Sequence, residues 1–263
     1  MDRLFHGEIQ LHLTKFSSMR QFVSFLVLGT ILFSCSGLSQ PNTQLQESDT
    51  TSFGTNIDQL GTNVARVFQD SRGNYWFANK GAVKYDGETF IRFTTEDGLY
   101  SNRIRDFQED HLGNIYFDTG SGVNKYTGTE IVKLTVVHDT TKANLLTDND
   151  LWFAGKWNTN GVYRCDGQFL YYHELSDHPL EKEARSVNPS FSFNPYACYT
   201  TFKDRDGNVW MGGSTFGASR FDGNTLFWIS EREMTEIDPS PAMGVRSIVQ
   251  DKQGNFYFAS HVD

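Results

Sequence analysis

Cysteine is scarce: three occur in 263 residues, at positions 35, 165 and 198. No Cys or His spacing matches a zinc site. Long apolar runs are missing too. The run Phe22–Phe33, FVSFLVLGTILF, has 12 residues, too short for a spanning helix of about 20. Positive charge is in deficit, with 23 Lys and Arg against 32 Asp and Glu and a net charge of −9. That balance argues against nucleic acid or an anionic membrane face as partners, and otherwise serves solubility. Helical patterning is thin beside the strand patterning, so one all-β domain fits better than two α/β domains. No H-E-x-x-H or G-x-S-x-G pattern occurs, and no Ser-His-Asp arrangement is visible.

Aromatic residues are plentiful, with 22 Phe, 11 Tyr and 5 Trp. The chain is organised around the stretch 70–87, DSRGNYWFANKGAVKYDG. Asp70, Gly73 and Asn74 are turn residues: Asp and Asn bond nearby backbone, and Gly accepts positive φ. Tyr75–Ala78 is a short apolar run that predicts a strand buried on both faces. Val83–Tyr85 predicts the next strand, Asp86-Gly87 a hairpin turn, and Thr89–Phe93 an alternating, half-exposed strand. Val64–Phe68 supplies a first strand. Four antiparallel strands in about 40 residues is one propeller blade.

The stretch recurs. Asp110-His111-Leu112-Gly113-Asn114, Ile115–Asp118, Val123–Tyr126 and Thr127-Gly128 repeat it at a shift of 40 residues. A third copy has lost its first glycine: Asp148-Asn149-Asp150 precede Leu151–Ala154, Gly161–Cys165 and Asp166-Gly167. A fourth is sharp, with Asp204-Arg205-Asp206-Gly207-Asn208, Val209–Gly212, Ala218–Phe221 and Asp222-Gly223. A fifth runs through Val245–Val249, Asp251–Asn255 and Phe256–Ala259. The predicted fold is therefore an all-β propeller of four-stranded antiparallel blades, with repeats at 63–99, 100–137, 138–175, 190–230 and 244–263. The fifth repeat is incomplete, which predicts a propeller truncated at its C-terminus. The alternative is that residues 41–62 complete it, with 51–57 as one strand.

The pattern VxxIxxDxxGNxWFxxxxGvxxyDGxxF, carried from Asn63 onward, resembles the two-component regulator propeller repeat. That family's repeats form sensor domains in front of histidine kinases and also occur in free-standing bacterial lipoproteins. The resemblance implies the second type, because no kinase motif or later transmembrane run is visible. It speaks for fold and weakly for activity, since the fixed residues are turn and core residues.

The N-terminal region reads as an address. Residues 1–35 form a signal region: Arg20 flanks the apolar run, which ends Leu32-Phe33-Ser34-Cys35. This resembles a bacterial lipoprotein signal, in which the Cys is cleaved and lipidated, and so makes Cys35 the expected lipidation site. An ordinary signal peptide is the alternative. Asp2 and Glu8 are unusual in a signal, which points to Met19 as the start. Residues 36–60, rich in Ser, Gln, Thr and Asn, read as a flexible tether.

Function is expected where the repeat breaks. The loop 155–161 is longer than its counterpart 79–81 and offers Lys156, Trp157 and Asn158. An insertion from 173 to 196 offers His173, His178 and Tyr196, or else covers a ring edge with Phe191 and Phe193 as anchors. Arg105 and Arg246 share a column five residues before the turn aspartate, with Ala65 and Tyr199. On first strands they could grip an anion in the channel, or pair with neighbouring carboxylates. Cys165 and Cys198 read as small core residues, with a disulfide between them open. Asp204–Asn208 has the look of a calcium loop, but no Glu follows at EF-hand distance, and turn formation explains the sequence. No metal or cofactor is expected. The leading expectation is a non-catalytic, lipid-anchored envelope protein, periplasmic or at the outer-membrane surface. It would bind a small ligand, a glycan or another envelope protein. The alternatives are a lyase of the virginiamycin B type, which uses a His with a metal near the channel, and a truncated, inactive remnant. His111 and His261 lie in or near repeat turns, poorly placed for such a His.

Overall fold

Each copy of the repeat folds into its own sheet in a computed structural model that describes residues 53–179, 181–187, 194–230 and 244–260. Blade 1 holds β1 (Thr55–Ile57), β2 (Val67–Gln69), β3 (Tyr75–Ala78), β4 (Ala82–Tyr85) and β5 (Phe90–Phe93), in the order β1-β5-β4-β3-β2. Blade 2 holds β6 (Asp106–Glu109), β7 (Ile115–Asp118), β8 (Val123–Tyr126) and β9 (Ile131–Lys133). Blade 3 comprises β10 (Thr135–Val137), β11 (Leu151–Ala154), β12 (Gly161–Cys165) and β13 (Phe169–Glu174). Blade 4 comprises β14 (Cys198–Lys203), β15 (Val209–Gly213), β16 (Ala218–Phe221) and β17 (Leu226–Ile229). A last pair, β18 (Val245–Gln250) and β19 (Phe256–Ser260), begins blade 5. The chain is a multi-blade β-propeller. Among the described residues, no helix is long and apolar enough to cross a membrane.

A single aspartate fastens both the turn and the core of a blade. Asp70 Oδ1 accepts the Arg72 and Asn74 backbone N–H groups, while Oδ2 accepts Asn74 Nδ2 and, at 2.9 Å, Trp76 Nε1. Burial raises the Asp70 pKa, but the Trp76 and Asn74 bonds outweigh it and hold the pKa below its ordinary value. Asp204 repeats the arrangement with Asn208 and Trp210, whose Nε1 donates at 2.8 Å. Asp110 and Asp251 do the same with the hydroxyls of Tyr116 and Tyr257. The carboxylate of the calcium-like loop is thus committed to its own turn.

Four hydrophobic cores lie between successive blades. In each, the large aromatic in the Trp76 column meets the residues on either side of that column in the next blade. Trp76 packs with Phe107, Phe117 and Tyr126 of blade 2, for example. Tyr75 is exposed, so β3 is buried on one face only. In blade 2 all of Ile115–Asp118 is buried, because a blade precedes it.

Two departures from the repeat stand out. Residues 55–57, inside the stretch expected to be tether, form β1, which pairs antiparallel with β5 on the outer edge of blade 1. Phe53 anchors it, stacking on Tyr126 and tilting against Phe93. This strand therefore joins blade 1, contrary to the alternative in which it completes the last blade. Blade 3 has no counterpart of β2. A helical turn, α1 (Thr140–Ala143), takes that place in the chain, capped by the Asp139 side chain accepting from Lys142 N–H. The blade is filled out at its other edge by β10, which pairs parallel with β13.

Candidate functional site

The missing first strand leaves the edge of β11 to be covered by side chains. The Trp152 carbonyl accepts Gln108 Nε2 at 2.6 Å and Thr201 Oγ1 at 2.5 Å, from the first strands of blades 2 and 4. Arg105 Nη2 donates to the Ala154 carbonyl at 2.8 Å, and Nη1 to that of Gly155 at 3.0 Å. Edge carbonyls that a strand would have paired are thus satisfied. A cavity of about 320 Å³ remains there, lined among others by Asp106, Asp150, Trp152 and Lys203. Asp150 is spent on ion pairs with Arg164 and Lys203, at 2.9 and 2.6 Å. Burial, with the nearby Asp118 charge adding, pushes the Asp106 pKa up to about 6.

The loop 155–161 joins β11 to β12. Its ends are pinched: a Cβ on Gly155 would stand 2.1 Å from the Gly161 carbonyl oxygen. Thr159 closes it by donating its N–H and hydroxyl to the Lys156 carbonyl. The pinch turns Lys156, Trp157 and Asn158 outward, and Trp157 is 45% exposed. Its ring meets Tyr199 edge-on at 5.1 Å. Arg246 lies over the other ring, 4.3 Å from the Tyr199 centroid, and Arg105 lies 5.9 Å from Trp157. The result is a row Arg105–Trp157–Tyr199–Arg246 drawn from blades 2, 3, 4 and 5. Lys156 and Asn158 also line an open pocket of about 500 Å³, with His138, Tyr172 and Glu174 on its wall.

Arg105 does not present a free cation. It forms a bidentate pair with Asp118, with Nη2 at 2.8 Å from Oδ2, in addition to its carbonyl bonds. Burial raises the Asp118 pKa despite the Arg105 charge. Pairing with a neighbouring carboxylate, the alternative to anion binding, therefore holds for Arg105. Arg246 is exposed and braced by Tyr199.

His173, His178 and Tyr196 are buried, not presented to solvent beside Trp157. His173 lies on β13, not in a loop, because β13 pairs with β12 from Leu170 through Glu174, His173 opposite Val162. It is buried between Trp152 and Phe221, with Nδ1 2.8 Å from Asn144 Oδ1. Burial pushes its pKa down to about 4. His178 stacks flat on Phe216, with ring centroids 4.5 Å apart. The Tyr196 hydroxyl accepts the His178 N–H at 2.8 Å and donates to Glu181 at 2.7 Å. Burial, and then Glu181, push Tyr196 up to about 12. These side chains anchor the insertion, whose described helix α2 (Glu181–Val187) carries Glu181. Phe191, Phe193, His261 and Cys35 lie outside the described residues. Cys165 and Cys198 are free, buried thiols in different cores. Among the described residues, no group of three or more His, Cys, Asp or Glu is placed to hold a metal ion.

Tyr199 is the residue of this site that sequence reasoning did not single out. Its column was visible, but its meeting with Trp157 joins distant parts of the chain.

No family model and no curated protein sequence matches the chain. Solved structures do match in fold. The extracellular domain assigned to the one-component system BT4673 of B. thetaiotaomicron superposes with a TM-score of 0.54 at 17% identity, covering 79% of this chain and 30% of that one. Catalytically inactive virginiamycin B lyase from Staphylococcus aureus, solved with quinupristin, gives 0.55 at 13% identity, covering 79% and 66%. The extracellular domain assigned to the hybrid two-component system BT3049 of B. thetaiotaomicron gives 0.51 at 15%, covering 78% and 28%. The chain thus spans less than a third of the two extracellular domains and about two thirds of the lyase. What the likeness carries is the fold, a β-propeller.

Proposed function

We propose that this propeller is a non-catalytic binding module of the cell envelope, lipid-anchored through Cys35, that takes a small ligand, a glycan or an envelope protein at the face around loop 155–161. The observation that supports binding there is the exposed Trp157, whose ring packs edge-on against Tyr199, with Arg246 lying over that tyrosine. An aromatic ring costs little side-chain entropy to present, and a braced guanidinium adds a directional donor. The neighbouring pocket supplies Lys156 and Asn158 as polar contacts. The apolar run ending in Leu32-Phe33-Ser34-Cys35 supports the anchor and the envelope location.

The reading is tested by screening the purified protein against an oligosaccharide array and immobilised envelope proteins, then repeating the measurement with Trp157→Ala. Binding should weaken at least tenfold in the variant while the melting temperature stays unchanged. A ligand that binds Trp157→Ala with undiminished affinity would remove this face from consideration.

A further inference from the structure

The gap left by the absent first strand of blade 3 is walled by the two neighbouring blades. Asp106 and Gln108 reach it from β6, and Thr201 and Lys203 from β14, with Asp148 and Asp150 just before β11. Its volume of about 320 Å³ is at the low end of the range for small-molecule sites.

The side-chain donors on these walls are engaged. Lys203 Nζ donates to the Thr147 carbonyl and to Asp150, which also holds Arg164. Gln108 Nε2 and Thr201 Oγ1 both donate to the Trp152 carbonyl. The Trp152 ring packs against His173 and Phe221 in the core. Acceptors remain. The Asp106 carboxyl takes the N–H of the adjoining Phe107 and no side-chain donor. Arg66 and Arg105 act on it through their charge alone: Arg105 is committed to Asp118, and Arg66 donates to the Ala65 carbonyl. Burial, only partly offset by the Phe107 N–H, pushes its pKa up to about 6. Asp148, which is exposed, adds a second carboxylate.

The blade itself does not call for this carboxylate. Asp106 lies opposite Asp118 on β7, and the matching places in blades 1, 4 and 5 hold Arg66, Thr200 and Ser247. Among the described blades, a carboxylate stands there only beside the gap.

We infer that the gap binds a small molecule through a primary ammonium group that donates to the Asp106 carboxylate, with Asp148 adding negative potential. An ammonium has three donors and no acceptor, the complement of these walls. Its bonds to a carboxylate are charge-assisted and stronger than neutral ones. The site shares no residue with the Trp157 face, so neither reading depends on the other.

Isothermal titration calorimetry of the full chain with 1,4-diaminobutane tests this, in about 0.15 M salt to screen the general attraction of an acidic protein for cations. One molecule should bind per chain. Tetramethylammonium carries the charge without an N–H and should bind at least tenfold more weakly. Asp106→Asn should weaken the diamine at least tenfold, whereas Trp157→Ala should bind it as the wild type does. Should Asp106→Asn fail to fold, backbone amide shifts of the wild type locate the amine: changes centred on Asp106, Thr201 and Lys203 support the site, and changes centred elsewhere contradict it. No saturable binding, equal binding of tetramethylammonium, undiminished binding by Asp106→Asn, or loss of binding in Trp157→Ala would overturn the inference.

Discussion

Trp210 and Trp152 occupy the same column in adjacent blades and live in different surroundings. Trp210 Nε1 donates to Asp204, six residues earlier. Six residues before Trp152 stands Leu146, which packs against the core between blades 3 and 4. Trp152 Nε1 is accordingly buried without a partner. Asp150 sits where other repeats have asparagine and serves Arg164 and Lys203 instead. The motif residues of a regular repeat are therefore fastenings, consumed by their own blade. The third repeat has lost its fastening and its first strand, and relies on side chains from its neighbours. The same blade sends Trp157 out to solvent.

That dependence sets the largest expected effect. Arg105→Ala should destabilise the protein by about 3–5 kcal/mol, because it strands the buried Asp118 carboxylate and uncovers the β11 carbonyls. The nearest regular counterpart, Ala65, shows that a blade with its first strand present needs no such arginine. Urea unfolding of the variant measures the cost. A loss below about 1 kcal/mol, the level of an exposed pair, would mean that β11 does not need its neighbours.

A second contrast separates the core between blades 3 and 4 from that between blades 1 and 2, which is lined by apolar and aromatic side chains. His173 is buried beside the former, with its pKa pushed down to about 4. Its stabilising contribution is complete above the unfolded value of about 6.5 and is lost as pH falls from there toward 4, where the unfolded chain binds the proton first. Between pH 7 and pH 4 the wild type should lose about 2–3 kcal/mol more than His173→Gln. Parallel pH profiles would refute this by showing that the histidine titrates without coupling to folding.

Much of the blade was legible because it is local. Asp70, Gly73 and Asn74 make their turn within five residues, and the strands between turns alternate or run apolar. The bond from Asp70 to Trp76 was not legible, since turn and core offered separate reasons for the two residues. The parallel pairing of β10 with β13 and the loss of a first strand in blade 3 are non-local, and no residue type announces them. His173 looked like loop because β13 outlasts the outer strands of other repeats. The loop 155–161 was legible by its length, whereas the ring that braces Trp157 comes from another blade.

The smallest effect is the most direct test of the claim that motif residues fasten blades. Trp210→Phe and Trp152→Phe delete similar ring volume, so their packing costs largely cancel when compared. Trp210→Phe also deprives Asp204 of a donor, whereas Trp152→Phe removes a donor that has no acceptor. Equilibrium unfolding should find Trp210→Phe less stable than Trp152→Phe by about 1–2 kcal/mol. Equal losses, or a larger loss at Trp152, would contradict the assignment of the repeated aspartate as the fastening of the blade.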